Sequence, residues 1–376
     1  MIYLNNAATS WPKPEEVLVQ VNRHICDLPV TPYRSALHNS GLPDDVRKQT
    51  ADFFHVHSAD SVIFVPSATF ALNAVLYGLL NAGDHIITTA LEHNSLLRPL
   101  KTLEREKNII LDIAPCSSTG FVHPGDIQKL VKNSTRLIAA SHASNVTGRV
   151  QEIQAFARIA HNSGAYFLCD ASQSAGSIFI DMQNDGMDIL VFAGHKNLFG
   201  LQGIGVYCLS ENCRPRPFIS GGTGIKSDLP EQPPERPIIY EAGTQNTAGI
   251  VSLQAGMEFL KRKGQNLLLS KNTLFKETAA KMKSIPGVTV YCEQDTGLHE
   301  TVLSFNIEKL PCDQTGIMLE RSFDIIVRSG LHCAPLIHKY LNAPRGTVRA
   351  SFSVFNTESD AAALINAVQN ITDSIK

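Results

Sequence analysis

The chain has 376 residues, 43% of them hydrophobic, and a formal net charge of -2 with acidic and basic residues interspersed. That is enough apolar material for a sizeable core, arranged as two domains or as one large α/β domain with a smaller appendage. The balanced charge excludes the concentrated basic face of a nucleic-acid binder.

The eight cysteines are scattered and include no C-x-x-C pair. This argues against a zinc site by spacing and against a disulfide framework, so no metal is expected. Met1 to Asn6 shows no basic region followed by an apolar stretch. Residues 61–83 carry no charge, but Pro66, Ser67, Thr69 and Asn73 interrupt them, so they read as strand, turn and helix rather than a membrane span. The expectation is a cytoplasmic protein with no membrane or nucleic-acid partner.

Along the chain, β-branched runs alternate with helical stretches. The pattern predicts a strand over 61–65, a helix over 68–80, a strand over 85–89, a helix over 96–106 and a strand over 109–113. A helix near 125–131, a strand over 136–140, a helix over 153–161 and strands over 166–169, 189–192 and 206–209 follow. Such alternation implies βαβ units and a mostly parallel sheet covered on both faces. Residues 215–237, rich in Pro and Gly, read as a long loop. Beyond it come helices over 251–263 and 267–283, strands over 288–292 and 301–307, a helix near 314–321, strands over 325–327 and 348–352, and a closing helix from 358. The predicted division is an N-terminal arm 1–15, a large domain 16–258 and a small α+β domain 259–376.

Four motifs carry chemistry. In the first, an apolar strand ends in Asp170, followed by Ala171, Ser172 and Gln173. A carboxylate at the carboxyl end of a parallel strand can hold a protonated ring nitrogen, and it can equally be a helix cap. In the second, a buried strand runs into Gly194, His195 and Lys196. A desolvated lysine there can attack an aldehyde and form a Schiff base; a surface loop lysine is the alternative. In the third, a strand leads through Ser67, Ala68 and Thr69 into a helix, which makes either a phosphate site or a plain N-cap. In the fourth, Arg328-Ser329-Gly330-Leu331-His332-Cys333 follows a strand. A partly exposed thiol with cationic neighbours can be a reactive thiolate, whereas a lone Cys is ordinarily core filler.

In this order the motifs resemble the class-V aminotransferases among fold-type I pyridoxal-phosphate (PLP) enzymes, especially second-group cysteine desulfurases and selenocysteine lyases. The likeness runs from Tyr3-Leu4-Asn5-Asn6 to Val348-Arg349-Ala350-Ser351. It implies an α/β fold with a mostly parallel sheet and a smaller C-terminal α+β domain carrying Cys333 and Arg349. It implies that Lys196 forms the Schiff base and shuttles protons, that Asp170 pairs with the pyridine nitrogen, and that His93 stacks on the ring. Gln173 would donate to the ring hydroxyl oxygen, and Ala68, Thr69 and His195 would lie at the phosphate. Asn145, Arg349, Arg328 and Arg34 would face the substrate, with Arg349 forking its carboxylate. Thr244 would reach the phosphate of a partner subunit, which implies a homodimer. Five places depart from the family pattern. Asn5 replaces an Asp and Phe70 a Glu, both read as packing changes. Ala68 and Ala193 replace hydroxyl residues, and Tyr33-Arg34 replaces a His-Arg pair.

The implied reaction converts L-cysteine or L-selenocysteine to L-alanine, with sulfur moving to Cys333 as a persulfide and then to an acceptor protein or reductant. The alternatives are an aminotransferase, C-S lyase or epimerase that does not use Cys333, and a catalytically silent scaffold. A nicotinamide dehydrogenase is disfavoured, because Gly200, Gly203 and Gly205 do not form G-x-G-x-x-G between a strand and a helix.

Overall fold

The computed structural model describes residues 1–27, 41–291 and 299–375; Tyr33, Arg34 and Cys292 lie outside them. Its strands are β1 (Ile2–Tyr3), β2 (Val62–Val65), β3 (His85–Thr89), β4 (Ile110–Ala114), β5 (Thr135–Ser141), β6 (Tyr166–Asp170), β7 (Ile189–Ala193), β8 (Gly205–Leu209), β9 (Val288–Val290), β10 (Val302–Ile307), β11 (Ile325–Ile326), β12 (Arg328–Gly330) and β13 (Thr347–Ser351).

Among the described residues, seven strands form one sheet in the order β2-β8-β7-β6-β5-β3-β4. Only β8 runs antiparallel to its neighbours, so the sheet is mostly parallel, as the alternating pattern requires. The central strands read as unbroken apolar runs because both faces are covered. In β7 the side chains alternate between two cores: Leu190 and Phe192 join one, and Ile189, Val191 and Ala193 the other. Each such burial contributes on the order of 1.5–3 kcal/mol for a large aliphatic or aromatic side chain.

A second sheet, antiparallel throughout, has the order β12-β13-β10-β9 and its own core around Phe275, Leu303, Phe305, Phe352 and Ile371. Leu4 is buried in that same core, and β1 pairs in parallel with β11. The first residues of the chain are thereby fastened to its last third.

Three features differ from the pattern reading. Helices Glu15–Cys26 and Leu42–Phe54 escape it. The first buries only Val17 and Val21, and the second, with Pro43 in its first turn, mixes Arg47 and Thr50 with Val46, Ala51 and Phe54 on its buried face. The two helices expected over 251–263 and 267–283 form one continuous run. Helix Thr247–Phe259 passes through a π-helical turn, Leu260–Gly264, into helix Gln265–Lys283, and the charged Lys261, Arg262 and Lys263 stay exposed on that turn. No described helix is long and apolar enough to cross a membrane.

The long loop is pinned at its end. Arg47, almost fully buried, donates to both carboxylate oxygens of Glu241, at 2.7 Å to Oε1, and to the Val62 carbonyl at 2.7 Å. Glu241 Oε1 also accepts from Phe64 N at 2.6 Å. Removing the carboxylate takes the bidentate partner from a buried guanidinium, which keeps the Val62 carbonyl and Asp44 at 3.6 Å. Glu241→Ala is expected to cost about 3–5 kcal/mol in chemical denaturation; a loss under about 1 kcal/mol would show that the pair is no anchor.

Candidate active site

The carboxyl ends of β2, β3, β5, β6 and β7 lie along one edge of the large sheet, which is where ligands sit in parallel α/β architectures. The turns leaving those strands close round a cavity of about 230 Å³. It is lined by Ala68 and Thr69 after β2, His93 after β3, Asn145 after β5, Asp170 and Gln173 at the end of β6, and His195 and Lys196 after β7. Arg328 of β12 and Arg349 of β13 reach it from the second sheet. Ten residues singled out from sequence are thus brought together.

Lys196 is half-buried, and desolvation lowers its ammonium from 10.5 to about 8. Asp170 opposes this, while Arg349 and Arg328 reinforce it. Such an amine gives up its proton far more readily than a solvated lysine and, once neutral, can act as a nucleophile. Its turn is held from the N-terminal side: the His195 carbonyl accepts from Ser10 N, Ser10 Oγ and Thr9 Oγ1, each at 3.2 Å, and from Lys13 Nζ at 2.9 Å.

His93 caps helix Asn94–Lys107, its Nδ1 accepting from Ser95 N at 3.1 Å. That leaves the ring proton on Nε2. Desolvation and Lys196 lower His93 to about 4, so the ring is neutral, as a stacking partner should be. Asp170 Oδ1 accepts from Ser172 N at 2.9 Å, and Gln173 Nε2 donates to the Ala7 carbonyl at 3.1 Å.

The turn after β2 is seated by a close approach. At Gly205, the first residue of β8, a Cβ would lie 2.4 Å from the Ser67 carbonyl carbon and 2.6 Å from Ala68 N. Only glycine lets the N-terminus of helix Ala68–Leu79 rest there, with Ser67, Ala68 and Thr69 on the cavity wall.

Arg328 and Arg349 are directly opposite in the antiparallel register of β12 and β13. Arg349 is fully buried; it donates to the Asn145 carbonyl at 2.9 Å and to Asn5 Oδ1 at 3.3 Å. Asn5 therefore does not merely pack, as the sequence suggested; it helps hold the second sheet's arginine. Phe70, the other departure, does pack, edge-on against Phe218. Arg328 Nη2 lies 3.0 Å from Cys333 Sγ. Cys333 is half-buried at the cavity's border, and its carbonyl accepts from Asn94 N at 2.6 Å, tying the loop beside His93. His332 and Cys333 both have positive φ, 51° and 59°, a costly conformation for such residues.

Two sequence-derived positions are not in this group. Thr244 is exposed and away from the cavity, and Arg34 lies outside the described residues. The pattern reading missed Ser172, Ser67 and Asn5, although Ser172 sits inside the Asp170–Gln173 step. Four other thiols lie inside the hydrophobic cores. Burial pushes Cys116 and Cys213 up to about 12 and raises Cys169 and Cys208 as well.

With lysine, carboxylate, histidine and arginines in this arrangement, comparison with known proteins is decisive. The sequence profile described as Aminotransferase class-V matches residues 2–364. The chain belongs to the class-V aminotransferase family. As a class-V member it is 31% identical to a probable cysteine desulfurase of Pyrococcus abyssi, over 100% of this chain and 95% of that protein. The apo cysteine desulfurase of Thermococcus onnurineus superposes with a TM-score of 0.91 at 30% identity, covering 99% of this chain and 95% of that one. The Escherichia coli cysteine desulfurase CsdA, solved as an S-sulfonic acid, gives 0.89 at 25%, covering 99% and 94%.

The class is PLP-dependent, and the cavity of this member suits that group on its own residues. Among the described residues, Ser172 Oγ, His195 Nδ1 and Arg349 Nε are buried without a hydrogen-bond partner, which is the mark of a site built for a polar ligand. The helix N-terminus at Ala68 and Thr69 suits a phosphate.

The lowered amine gives a direct test. In the cofactor-free full-length chain, labelling of Lys196 by an amine reagent should rise as pH passes about 8, below the usual lysine value of 10.5. A midpoint near that of surface lysines, read by peptide mass spectrometry, would refute the desolvated environment.

Proposed function

We propose that this chain is a PLP-dependent cysteine desulfurase, converting L-cysteine to L-alanine and taking the sulfur on Cys333. The observation that carries this reading is one cavity lined by the lowered amine of Lys196 and by Arg328, whose guanidinium lies 3.0 Å from the Cys333 thiol just beyond the wall. An aminotransferase has no use for such a thiol. The relatives' names support the same reading.

PLP, when bound, supplies an aldehyde carbon for an amine and an electron-accepting ring. Asp170 would keep the ring nitrogen protonated, His93 would cover one ring face and Gln173 would donate to the ring oxygen. Ala68 and Thr69 amides, the Thr69 hydroxyl and His195 would hold the phosphate. Ser172, orphaned beside them, offers a hydroxyl that Ala68 and Ala193 do not.

Arg349, with Asn145 and Arg328, would bind the substrate carboxylate, whose charge relieves the repulsion of two facing guanidiniums. Lys196 Nζ would remove the proton from the substrate Cα and return a proton to the three-carbon product. Cys333, as thiolate, would attack the substrate sulfur. The new S–S bond forms as the carbon–sulfur bond breaks, and the carbon fragment leaves as alanine after protonation. A sulfur-acceptor protein or a reductant would then discharge the persulfide.

The exposed Thr244 fits a role outside its own subunit, reaching the phosphate of a partner in a homodimer, and Arg34 is assigned to the substrate side of that site. Residues 259–376 would be the smaller domain that brings Cys333 and Arg349 to the large one. A cytoplasmic setting suits a reduced thiol.

Incubation with L-cysteine and, separately, L-selenocysteine tests the reading. The wild type should release alanine and carry a persulfide on Cys333. In Cys333→Ala, alanine from cysteine should fall by about two or more powers of ten, because a positioned nucleophile is lost. Cysteine should still perturb the cofactor's visible absorbance, and some turnover of selenocysteine should remain because selenium is the better leaving group. Alanine at the wild-type rate would move the chain to the aminotransferase, lyase or epimerase reading. Arg349→Ala should weaken substrate binding by about 2–5 kcal/mol while leaving PLP content near normal; unchanged affinity in an absorbance titration would remove Arg349 from the site.

A further inference from the structure

A buried polar chain that none of these steps uses runs behind the Lys196 turn. Lys271, on helix Gln265–Lys283, is 4% exposed, and its Nζ lies 3.9 Å from Oε2 of Glu300, which is 3% exposed. Glu300 Oε1 accepts from Ser177 Oγ. Ser177 Oγ in turn accepts from Asn197 Nδ2 at 3.1 Å, and the same Nδ2 donates to the Gln173 carbonyl at 2.6 Å. The two amide protons of Asn197 serve the Gln173 carbonyl and Ser177 Oγ, and the single Ser177 proton faces both Glu300 Oε1 and the Ser174 carbonyl, which lies 3.1 Å away; the charged carboxylate is the stronger acceptor. The backbone reinforces the link. A Cβ at Gly176 would lie 2.7 Å from the Asn197 carbonyl oxygen, and Glu300 N donates to the Gly148 carbonyl at 2.8 Å, just beyond Asn145.

Glu300 therefore joins four segments: by its carboxylate the long helix and the turn after β6 that carries Gln173, by its backbone N–H the turn after β5 that carries Asn145, and through Ser177 the turn after β7 that carries Lys196. A buried ion pair is a poor source of net stability, since well-packed apolar residues often do as well. Its value here is placement. We propose that Glu300, acting through Ser177 and Asn197, is a positioning residue that fixes the Lys196 turn against the Gln173 and Asn145 turns. This rests on Lys196 being the reactive amine of the proposed function.

Asn197→Leu removes both amide donations at similar volume, Ser177→Ala breaks the relay, and Ser177→Thr restores its hydroxyl. The readout is the pH midpoint of Lys196 labelling in the cofactor-free full-length chain, with the pH midpoint of the holoenzyme's visible absorbance followed in parallel. A loosened turn lets the amine reach water. The labelling midpoint should therefore rise by about half a unit or more in Asn197→Leu and Ser177→Ala and stay at the wild-type value in Ser177→Thr. The holoenzyme midpoint should move in the first two variants and not in the third. Glu300→Gln should behave like Ser177→Ala; if it fails to fold, with Lys271 left unpaired, the other variants decide. Folded Asn197→Leu and Ser177→Ala with unmoved midpoints would overturn the inference. The underlying reading fails separately, if borohydride reduction of the wild-type holoenzyme fixes the cofactor to a lysine other than Lys196.

Discussion

Two guanidinium groups meet across β12 and β13, with Arg328 opposite Arg349 in register. Like charges on facing strands repel, and burial of Arg349 deprives it of water that would screen the repulsion. Neutral oxygens from two distant segments, the Asn145 carbonyl and Asn5 Oδ1, compensate in part. Both lie at the contact between the second sheet and the large one. The arginines thus have two effects: they make the cavity receptive to an anion, and they require the chain's first strand and the turn after β5 to be in place. The docking of the second sheet and the chemistry of the cavity depend on the same charge.

The same positive charge acts on the lysine. Desolvation makes the largest contribution to its lowered value, and the arginines add to it while Asp170 resists. His93 and His195 are held neutral for related reasons, each desolvated and each near the ammonium of Lys196. Of the basic side chains that line the cavity, the two imidazoles are neutral and the lysine is brought nearer to losing its proton, beside two guanidiniums.

Much of this was legible from the sequence because strand ends are local. An apolar run that stops at Asp170, or at Gly194-His195-Lys196, marks both the strand and the edge where ligands bind. What could not be read depends on pairs far apart in the chain. Asn5 looked like a packing change because nothing near it in sequence reveals that Arg349 lies against it. Glu300, Ser177 and Asn197 have no periodicity that would connect them. The helix Glu15–Cys26 is amphipathic but was not read: its Val17-Leu18-Val19 run with Val21 fits the alternation of a strand as well as a helix, and only Val17 and Val21 are buried.

The buried thiols have a consequence for sulfur chemistry. A persulfide is passed on when a thiolate attacks it, so any accessible, ionised cysteine in the same molecule is a competing destination. Cys116, Cys169, Cys208 and Cys213 are enclosed in apolar cores, and burial raises all four, which keeps them protonated and out of reach. Cys312 is buried as well, which among the described residues leaves Cys26 alone on the outer surface. On the proposed function, sulfur carried by Cys333 would be insulated from the thiols of its own core, and its traffic would be directed outward, to whatever molecule comes to the mouth of the cavity.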